Sequence, residues 1–193
     1  MTAPTPTDEM LAARVVAGEE GAFAALMERH WSRVHRLAQR FLGNRAEAEE
    51  VAQEVFLAVY QKLGQFEGKS AFSTWLYRVA VNMALMRLRS EGRAETVPLE
   101  EVEMSALAEE REDPPPEGRM MTEQSLGLIE RAMDRMPTEL KTIFILRDVE
   151  GFTNEETAEI MGLTVSAVKS RLHRGREFLR GPLKDLYQRT VEE

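Results

Sequence analysis

The sequence predicts an all-α protein: two small helical domains joined by a flexible acidic linker. Three observations carry that expectation. Helix formers (Ala, Leu, Glu, Arg, Met, Gln) dominate and strand-like alternation is absent. The helical pattern fails once at length, from about Glu91 to Arg119, where Gly92, an acidic run and Pro114-Pro115-Pro116 are too polar to bury a core. The stretch Glu150–Arg180 carries the spacing of a helix-turn-helix. A chain of 193 residues suits one or two small domains rather than one large core.

The elements follow in order. A first helix starts near Asp8, an N-cap candidate, and runs to Gly18. A second spans about Ala22–Leu42, with Phe23, Leu26, His30, Val34, Leu37 and Phe41 at three-to-four spacing, and Gly43-Asn44 ends it. A third covers about Arg45–Leu63 and stops at Gly64. The loop Gln65–Ser70 leads to a fourth helix, capped by Ser70 or Ser73, that reaches about Ser90. Within the tether a short helix over Glu100–Glu110 has weak support. Helix resumes near Thr122 and runs to about Met136, Pro137 opens the next at its first turn, and Thr138–Asp148 leads into the helix-turn-helix. The domains are expected at 8–91 and 121–187, with the linker at 92–120.

In the helix-turn-helix, Ala158 sits where one helix must let another cross closely. Gly162 supplies the positive φ of a tight turn, and Leu163 and Val168 are spaced to lie beneath the first helix. That arrangement turns Lys169, Ser170, His173 and Arg174 outward, flanked by Arg171 and Arg176. These side chains donate to phosphate oxygens and base edges, so the segment is expected to contact DNA in a major groove. A solvated helical hairpin is the plainer alternative.

The net charge of −8 is unusual for a protein that finds DNA unaided. The charge is unevenly distributed: Glu95–Asp113 holds eight acidic residues against Arg111, whereas Lys169–Arg180 holds five basic residues against Glu177. An acidic whole with a basic tip implies delivery to DNA by another component. Cysteine is absent, which excludes disulfides and thiolate metal sites. His30, His35 and His173 lack metal-ligand spacing, and no phosphate-cradling glycine loop or nucleophile–base pair is present. No catalytic residue, metal site or cofactor is therefore expected. MTAPTPTDEM has neither a basic n-region nor an apolar h-region, and no apolar run approaches the ~20 residues that span a bilayer. The expected location is cytoplasmic, with no membrane segment.

In Ala71–Arg89, the aromatic residues Phe72, Trp75 and Tyr77 stand beside Arg78, Asn82, Arg87 and Arg89. Aromatic faces stack on unpaired bases and arginines hold a strand's backbone. Apolar stripes are more often core, and for Trp75 and Val79 core is the preferred reading. Asn82 has poor helix propensity and good base-edge chemistry. Upstream, Glu47–Phe56 is a helix with an acidic face, by itself an ordinary solvated face.

The order of these features resembles the extracytoplasmic-function (group IV) sigma factors of bacterial RNA polymerase. It runs acidic helix, Phe66-Glu67-Gly68 loop, Ser70-x-Phe72-x-x-Trp75-Leu76-Tyr77-Arg78-x-Ala80-x-Asn82 helix, linker, then helix-turn-helix. The resemblance spans about Asp8–Arg89 and Thr122–Leu183. It implies an N-terminal σ2 domain in which Glu49, Glu50, Gln53 and Glu54 grip the β′ clamp helices of core polymerase. It implies that Phe66, Lys69, Ser70, Phe72, Trp75, Arg78, Asn82, Arg87 and Arg89 recognise and melt the −10 element. A C-terminal σ4 domain would sit on the β flap and read the −35 element through Lys169, Ser170, Arg171, His173, Arg174 and Arg176, with Arg147 at a phosphate. Core RNA polymerase and promoter DNA are the implied partners, and many relatives are held inactive by an anti-sigma factor. The chain departs from the family pattern at Met86, where an acidic or polar residue is frequent, and at Ser166-Ala167, which replaces a frequent Gly-Thr. A helix-turn-helix regulator acting as a dimer would share Glu150–Arg180, but it leaves the aromatic–basic helix unexplained.

Overall fold

The computed structural model describes residues 5–94 and 131–191, the last ten of these as helix path only. The linker from 95 to 120, the helix considered over Glu100–Glu110 and the start of the helix expected near Thr122 lie outside the described residues. Among the described residues there is helix and no strand.

The N-terminal unit comprises α1 (Asp8–Val16), α2 (Ala22–Leu42), α3 (Arg45–Lys62) and α4 (Phe72–Ser90), with a 3-10 turn over Leu63–Gln65. Helix α2 is the axial element, packed against each of the other three. Of its predicted stripe, Leu26, His30, Val34, Leu37 and Phe41 are buried. Phe23 is half-buried and meets Phe56 and Tyr60 edge-on at ring-centroid distances of 6.5 and 4.9 Å. The α2–α3 corner matches the Gly43-Asn44 expectation: Gly43 takes φ 71°, and the Asn44 side chain accepts the amide hydrogens of Ala46 and Glu47.

Two caps differ from expectation. Thr7, not Asp8, caps α1, its hydroxyl accepting from Met10 N–H at 3.2 Å. Asp8 instead reaches across to α2, accepting from Arg29 at 2.8 Å and lying 2.7 Å from His30 Nε2. Helix α4 begins at Phe72, and neither Ser70 nor Ser73 caps it. Its first amide donates to the Glu9 carboxylate at 3.2 Å, so a cap from α1 replaces a local one. The physical reason is one of reach. Glu9 lies at the exposed end of α1 where that helix passes the start of α4, and a carboxylate at a helix N-terminus also gains from the helix dipole.

The C-terminal unit opens with a helical segment over 131–134. It continues with α5 (Thr138–Phe144), α6 (Asn154–Met161) and α7 (Val165–Val191). Pro137 stands at the N-cap of α5 rather than at its first helical residue, and its carbonyl accepts from Lys141. The helix expected over Thr138–Asp148 is α only to Phe144; Ile145–Val149 form a π-turn, closed by the Glu150 N–H bond to Ile145 O at 2.9 Å. The Thr153 hydroxyl and Glu156 carboxylate cap α6 reciprocally, a capping box readable in Thr-Asn-Glu-Glu.

The two units share one apolar core. Ile145, Leu146, Phe152 and Ile160 of the C-terminal unit are buried in the same cluster as Phe72, Leu76, Tyr77, Ala80 and Ala84 of α4. Tyr77 is wholly buried, its ring edge-on to Phe152 with centroids 4.7 Å apart. Its hydroxyl donates to Glu150 Oε2 at 3.2 Å, while Arg40 bonds Glu150 Oε1. Arg33 stands 3.8 Å from the same carboxylate, with its guanidinium over the Tyr77 ring. Burial foremost, and then the Glu150 charge, push the Tyr77 phenol well above its ordinary range.

The α1 carboxylates supply an acid-sensitive anchor. At Asp8, burial raises the pKa, but the hydrogen bonds and charges of Arg29 and His30 outweigh it and hold the group below the usual carboxylate range. At Glu9, bonds from its own and the Phe72 amide hydrogens depress it. A depressed folded-state pKa contributes stability above the unfolded pKa, and that contribution disappears as pH falls through the folded value. Urea unfolding at pH 7 and pH 3 should therefore show a smaller acid-induced loss in D8N/E9Q than in the parent chain. Equal losses would mean that neither carboxylate anchors α1.

Candidate nucleic-acid interface

Helix α7 is positioned by its buried face, on which Val168, Leu172, Gly175 and Leu179 recur at helical spacing. Val168 and Leu172 join Ile143 of α5 and Ala158 of α6 in one cluster. Leu179 packs with Leu140, Ala132 and Met136. Gly162 takes φ 67° and turns the chain between α6 and α7, as expected. On the opposite face, Lys169 and His173 are exposed, and Ser170 and Arg174 are half-buried. Lys169 and Arg174 carry no ion pair among the described residues, so their charge is available to an external anion. Two flanking arginines are engaged within the unit. Arg171 Nε lies 3.2 Å from Glu139, and Arg176 grips Asp148 with two bonds of 2.9 Å. Arg147 is held further inside: its guanidinium donates to the Phe152 carbonyl, bracing the π-turn against the loop that follows it.

Helix α4 presents a second surface. Arg78, Asn82, Met86 and Arg89 are exposed at spacings of four, four and three, which places them along one face. Met86 is the most exposed large apolar side chain among the described residues, at 65%. At the head of this stripe, Phe66 and Trp75 are half-buried with ring centroids 5.4 Å apart. Lys69 and Ser70 sit in the adjoining loop, Lys69 paired with Glu67. Phe72 has no exposed surface, wedged between Phe66 at 5.8 Å and Trp75 at 6.0 Å. In this structure it shapes the aromatic platform from beneath, and Tyr77 is likewise occupied in the core. Arg87 turns away from the stripe toward α3.

The acidic helix α3 keeps Glu49, Glu50, Gln53 and Glu54 exposed. Arg87 straddles two of them, Nη1 at 3.2 Å from Glu50 and Nη2 at 3.1 Å from Glu54. The Glu50 hydrogen bond raises the Arg87 pKa above its ordinary value, with smaller charge effects of Glu54 and Glu50, so the guanidinium stays charged. An arginine expected at DNA thus ties the acidic face to α4. Leu57 and Tyr60, both more than half exposed, extend that face along α3; their helical spacing from Gln53 could have marked them in the sequence.

Among the described residues, no group of His, Asp or Glu is arranged to hold a metal ion, and no helix is long and apolar enough to cross a membrane. By fold and surface, the molecule is a two-unit, all-helical protein that presents a helix-turn-helix. The Sigma-70 region 2 model matches residues 26–94, and the Sigma-70, region 4 model matches residues 126–179. The chain is 35% identical over 184 residues to the ECF RNA polymerase sigma-E factor of Haemophilus influenzae, covering 93% of this chain and 97% of that one. It is 33% identical over 189 residues to the sigma-E factor of Escherichia coli K12, covering 95% and 97%. To the RNA polymerase sigma-H factor of Pseudomonas aeruginosa it is 34% identical over 183 residues, covering 93% and 95%. The chain belongs to the sigma-70 family of RNA polymerase sigma factors, in its extracytoplasmic-function branch. Its fold is similar to that of CnrH in complex with the cytosolic domain of CnrY (TM-score 0.68, 23% identity, 92% of this chain and 97% of that one). It is also similar to RpoE from Bartonella quintana in complex with the anti-sigma factor NepR (TM-score 0.63, 23% identity, 84% and 96%).

Sequence reasoning passed over Gly175, where α7 crosses α5 closely. A Cβ there would stand 3.5 Å from Leu140 O and 3.8 Å from Phe144 Cβ, ordinary contact distances. Gly175→Ala should therefore keep the crossing and remove the helix penalty of glycine, stabilising the protein by about 0.5–1 kcal/mol. A thermal midpoint a few degrees higher would show this, and a lower midpoint would show that the crossing tolerates no side chain.

Proposed function

We propose that this chain is a promoter-specificity subunit that carries bacterial core RNA polymerase to its start sites and helps open the DNA there. The observation that supports it best is the combination of two separate nucleic-acid-facing surfaces with an acidic face on α3. The α4 stripe of Arg78, Asn82 and Arg89 lies below Phe66 and Trp75, and the α7 face holds Lys169, Ser170, His173 and Arg174. In this reading, α7 enters the major groove of the −35 element, where an arginine or lysine reads guanine edges and phosphates. The α4 stripe and the Phe66–Ser70 loop receive unpaired bases of the −10 element. Glu49, Glu50, Gln53 and Glu54 meet the β′ clamp helices, and the C-terminal unit rests on the β flap.

Energetics favours this division of labour. Melting a turn of duplex forfeits stacking of roughly 1.4 kcal/mol per base step. Capturing one extruded base against an aromatic platform returns about 1–3 kcal/mol. A small helical domain can therefore trap a few bases but needs the polymerase cleft to hold the separated strands. Two weak readers gain from being held together on one assembly, because the second then binds intramolecularly. The net charge of −8 suits a protein that avoids bulk DNA and searches as part of a holoenzyme. That role also supports a cytoplasmic location. An anti-sigma factor is a further partner by analogy with the similarly folded RpoE of Bartonella quintana, solved in complex with the anti-sigma factor NepR.

Size-exclusion chromatography with core polymerase should show comigration that weakens when Glu50 and Gln53 are replaced. Within that complex, N82A should reduce permanganate reactivity of promoter thymines about tenfold or more, as removal of a base-edge hydrogen bond implies. K169A/R174A should weaken promoter binding and lower its salt slope by roughly one for each phosphate left without its cation. Absence of a complex, with tight duplex binding by the free chain, would promote the dimeric regulator instead.

A further inference from the structure

The joint between the two units has the makings of a receptor and its key. Glu150 lies in the turn that leads into the helix-turn-helix, yet its side chain is only 6% exposed. Among the described residues, every partner of its carboxylate belongs to the N-terminal unit: Arg40, Tyr77 and Arg33. Arg33 also bonds the Glu150 carbonyl at 3.5 Å. Two residues on, Phe152 fills the apolar half of the same site against the Tyr77 ring. Two partly exposed cations face one buried carboxylate, so emptying the site leaves Arg33, Arg40 and the Tyr77 hydroxyl without the carboxylate that joins them.

The joint conflicts with the work the molecule does. Elements named for positions −10 and −35 lie about 25 base pairs apart, roughly 85 Å along B-DNA at 3.4 Å per pair. A body of about 150 residues has a radius of gyration of roughly 15 Å and is about 40 Å across. With the units packed together, α4 and α7 ride on one such body and cannot reach both elements. The 36 residues from 95 to 130 can span up to about 120 Å when extended, so the chain is long enough for the units to part. Beside the joint an open cleft of about 440 Å³ runs past Arg36, Arg40 and Lys141, which brings water to the rim of the ion pair.

We propose that the Arg33–Arg40–Tyr77 site is a docking receptor for an acidic residue followed two positions later by an aromatic one. Its occupant is the chain's own Glu150–Phe152 corner, and this self-docking holds the free protein in a closed form that must open before both promoter elements can be read. Glu150 is the latch, since among the described residues it alone gives Arg40 and the Tyr77 hydroxyl their partner in the joint. The need to open rests on the promoter-reading function, but the latch itself is tested without polymerase or DNA.

The chain has no cysteine, so Gln61→Cys and Glu159→Cys, both at exposed positions on different units, allow clean dye labelling of the full-length protein. Energy transfer between the dyes reads the closed form. E150Q, which keeps the shape and removes the charge, should shift the equilibrium toward the open form by about tenfold, the scale of one charge-assisted hydrogen bond to a partly solvated arginine. E150R should open the protein, and the exchanged pair E150R/R40E should restore closure. Far-UV circular dichroism confirms that each variant keeps its helix; should E150R lose helix, E150Q decides. Wild-type transfer in E150Q or in a folded E150R would overturn the latch, as would an exchanged pair no more closed than E150R alone. Failure here leaves the promoter reading intact, because that reading is judged by the polymerase complex.

Discussion

The arrangement of the whole molecule depends on one buried contact, in which Tyr77 and Arg40 of the N-terminal unit receive Glu150 of the C-terminal unit. Tyr77 could not be buried so completely without a partner for its hydroxyl, because an unsatisfied phenolic oxygen in an apolar core is costly. Glu150 could not be buried without cations around it. Each therefore makes the other's position tolerable, and Phe152 and Ile160 complete the apolar surround. The π-turn belongs to the same constraint. It inserts a wider turn over Ile145–Val149 just before Glu150, while Ile145 and Leu146 both enter the shared core. Arg147, bonded to the Phe152 carbonyl, fixes the shape of that corner.

Charge is sorted by whether it has an internal partner. Arg171, Arg176 and Arg87 are tied to Glu139, Asp148 and the Glu50–Glu54 pair, so each braces one helix against another element. Lys169, Arg174, Arg78 and Arg89 lie on helix faces with no ion pair among the described residues, where an external phosphate meets no competing carboxylate. An arginine that must leave a carboxylate to reach DNA brings less net attraction than one without such a tie. The distinction separates two groups of basic residues that are chemically alike in the sequence. It also couples the surfaces: Arg87 ties the acidic face of α3 to the helix that carries Asn82.

Much of the architecture was legible because it rests on local rules. The α2 stripe from Leu26 to Phe41 follows from helical periodicity, and the Gly43-Asn44 corner follows from backbone freedom and side-chain capping. The Ala158–Gly162–Val168 spacing of the helix-turn-helix is local in the same way, needing only residues within one hairpin. The errors came where a distant group outcompeted a local one. Ser70 and Ser73 were plausible caps for α4, but Glu9 arrived from α1. Asp8 was a plausible cap for α1, but Arg29 and His30 drew it to α2. The aromatic residues of α4 divide in the same way: Phe66 and Trp75 keep some surface, whereas Phe72 and Tyr77 are taken into the core by neighbours that periodicity alone does not identify.

The helices, the helix-turn-helix, the outward basic face of α7 and the family all follow from the chain alone, because each is written in residues close together or in their order. Assembly of the helices settled the rest: which arginines are bound to carboxylates, which aromatic rings remain exposed, and that the two units share a core through Glu150. Those outcomes depend on pairs such as Arg40–Glu150 and Tyr77–Phe152, more than 70 residues apart in sequence, whose meeting is set by how α2, α4 and the π-turn pack. A carboxylate in a polar turn carries no local mark of burial; its environment exists only once the helices are assembled.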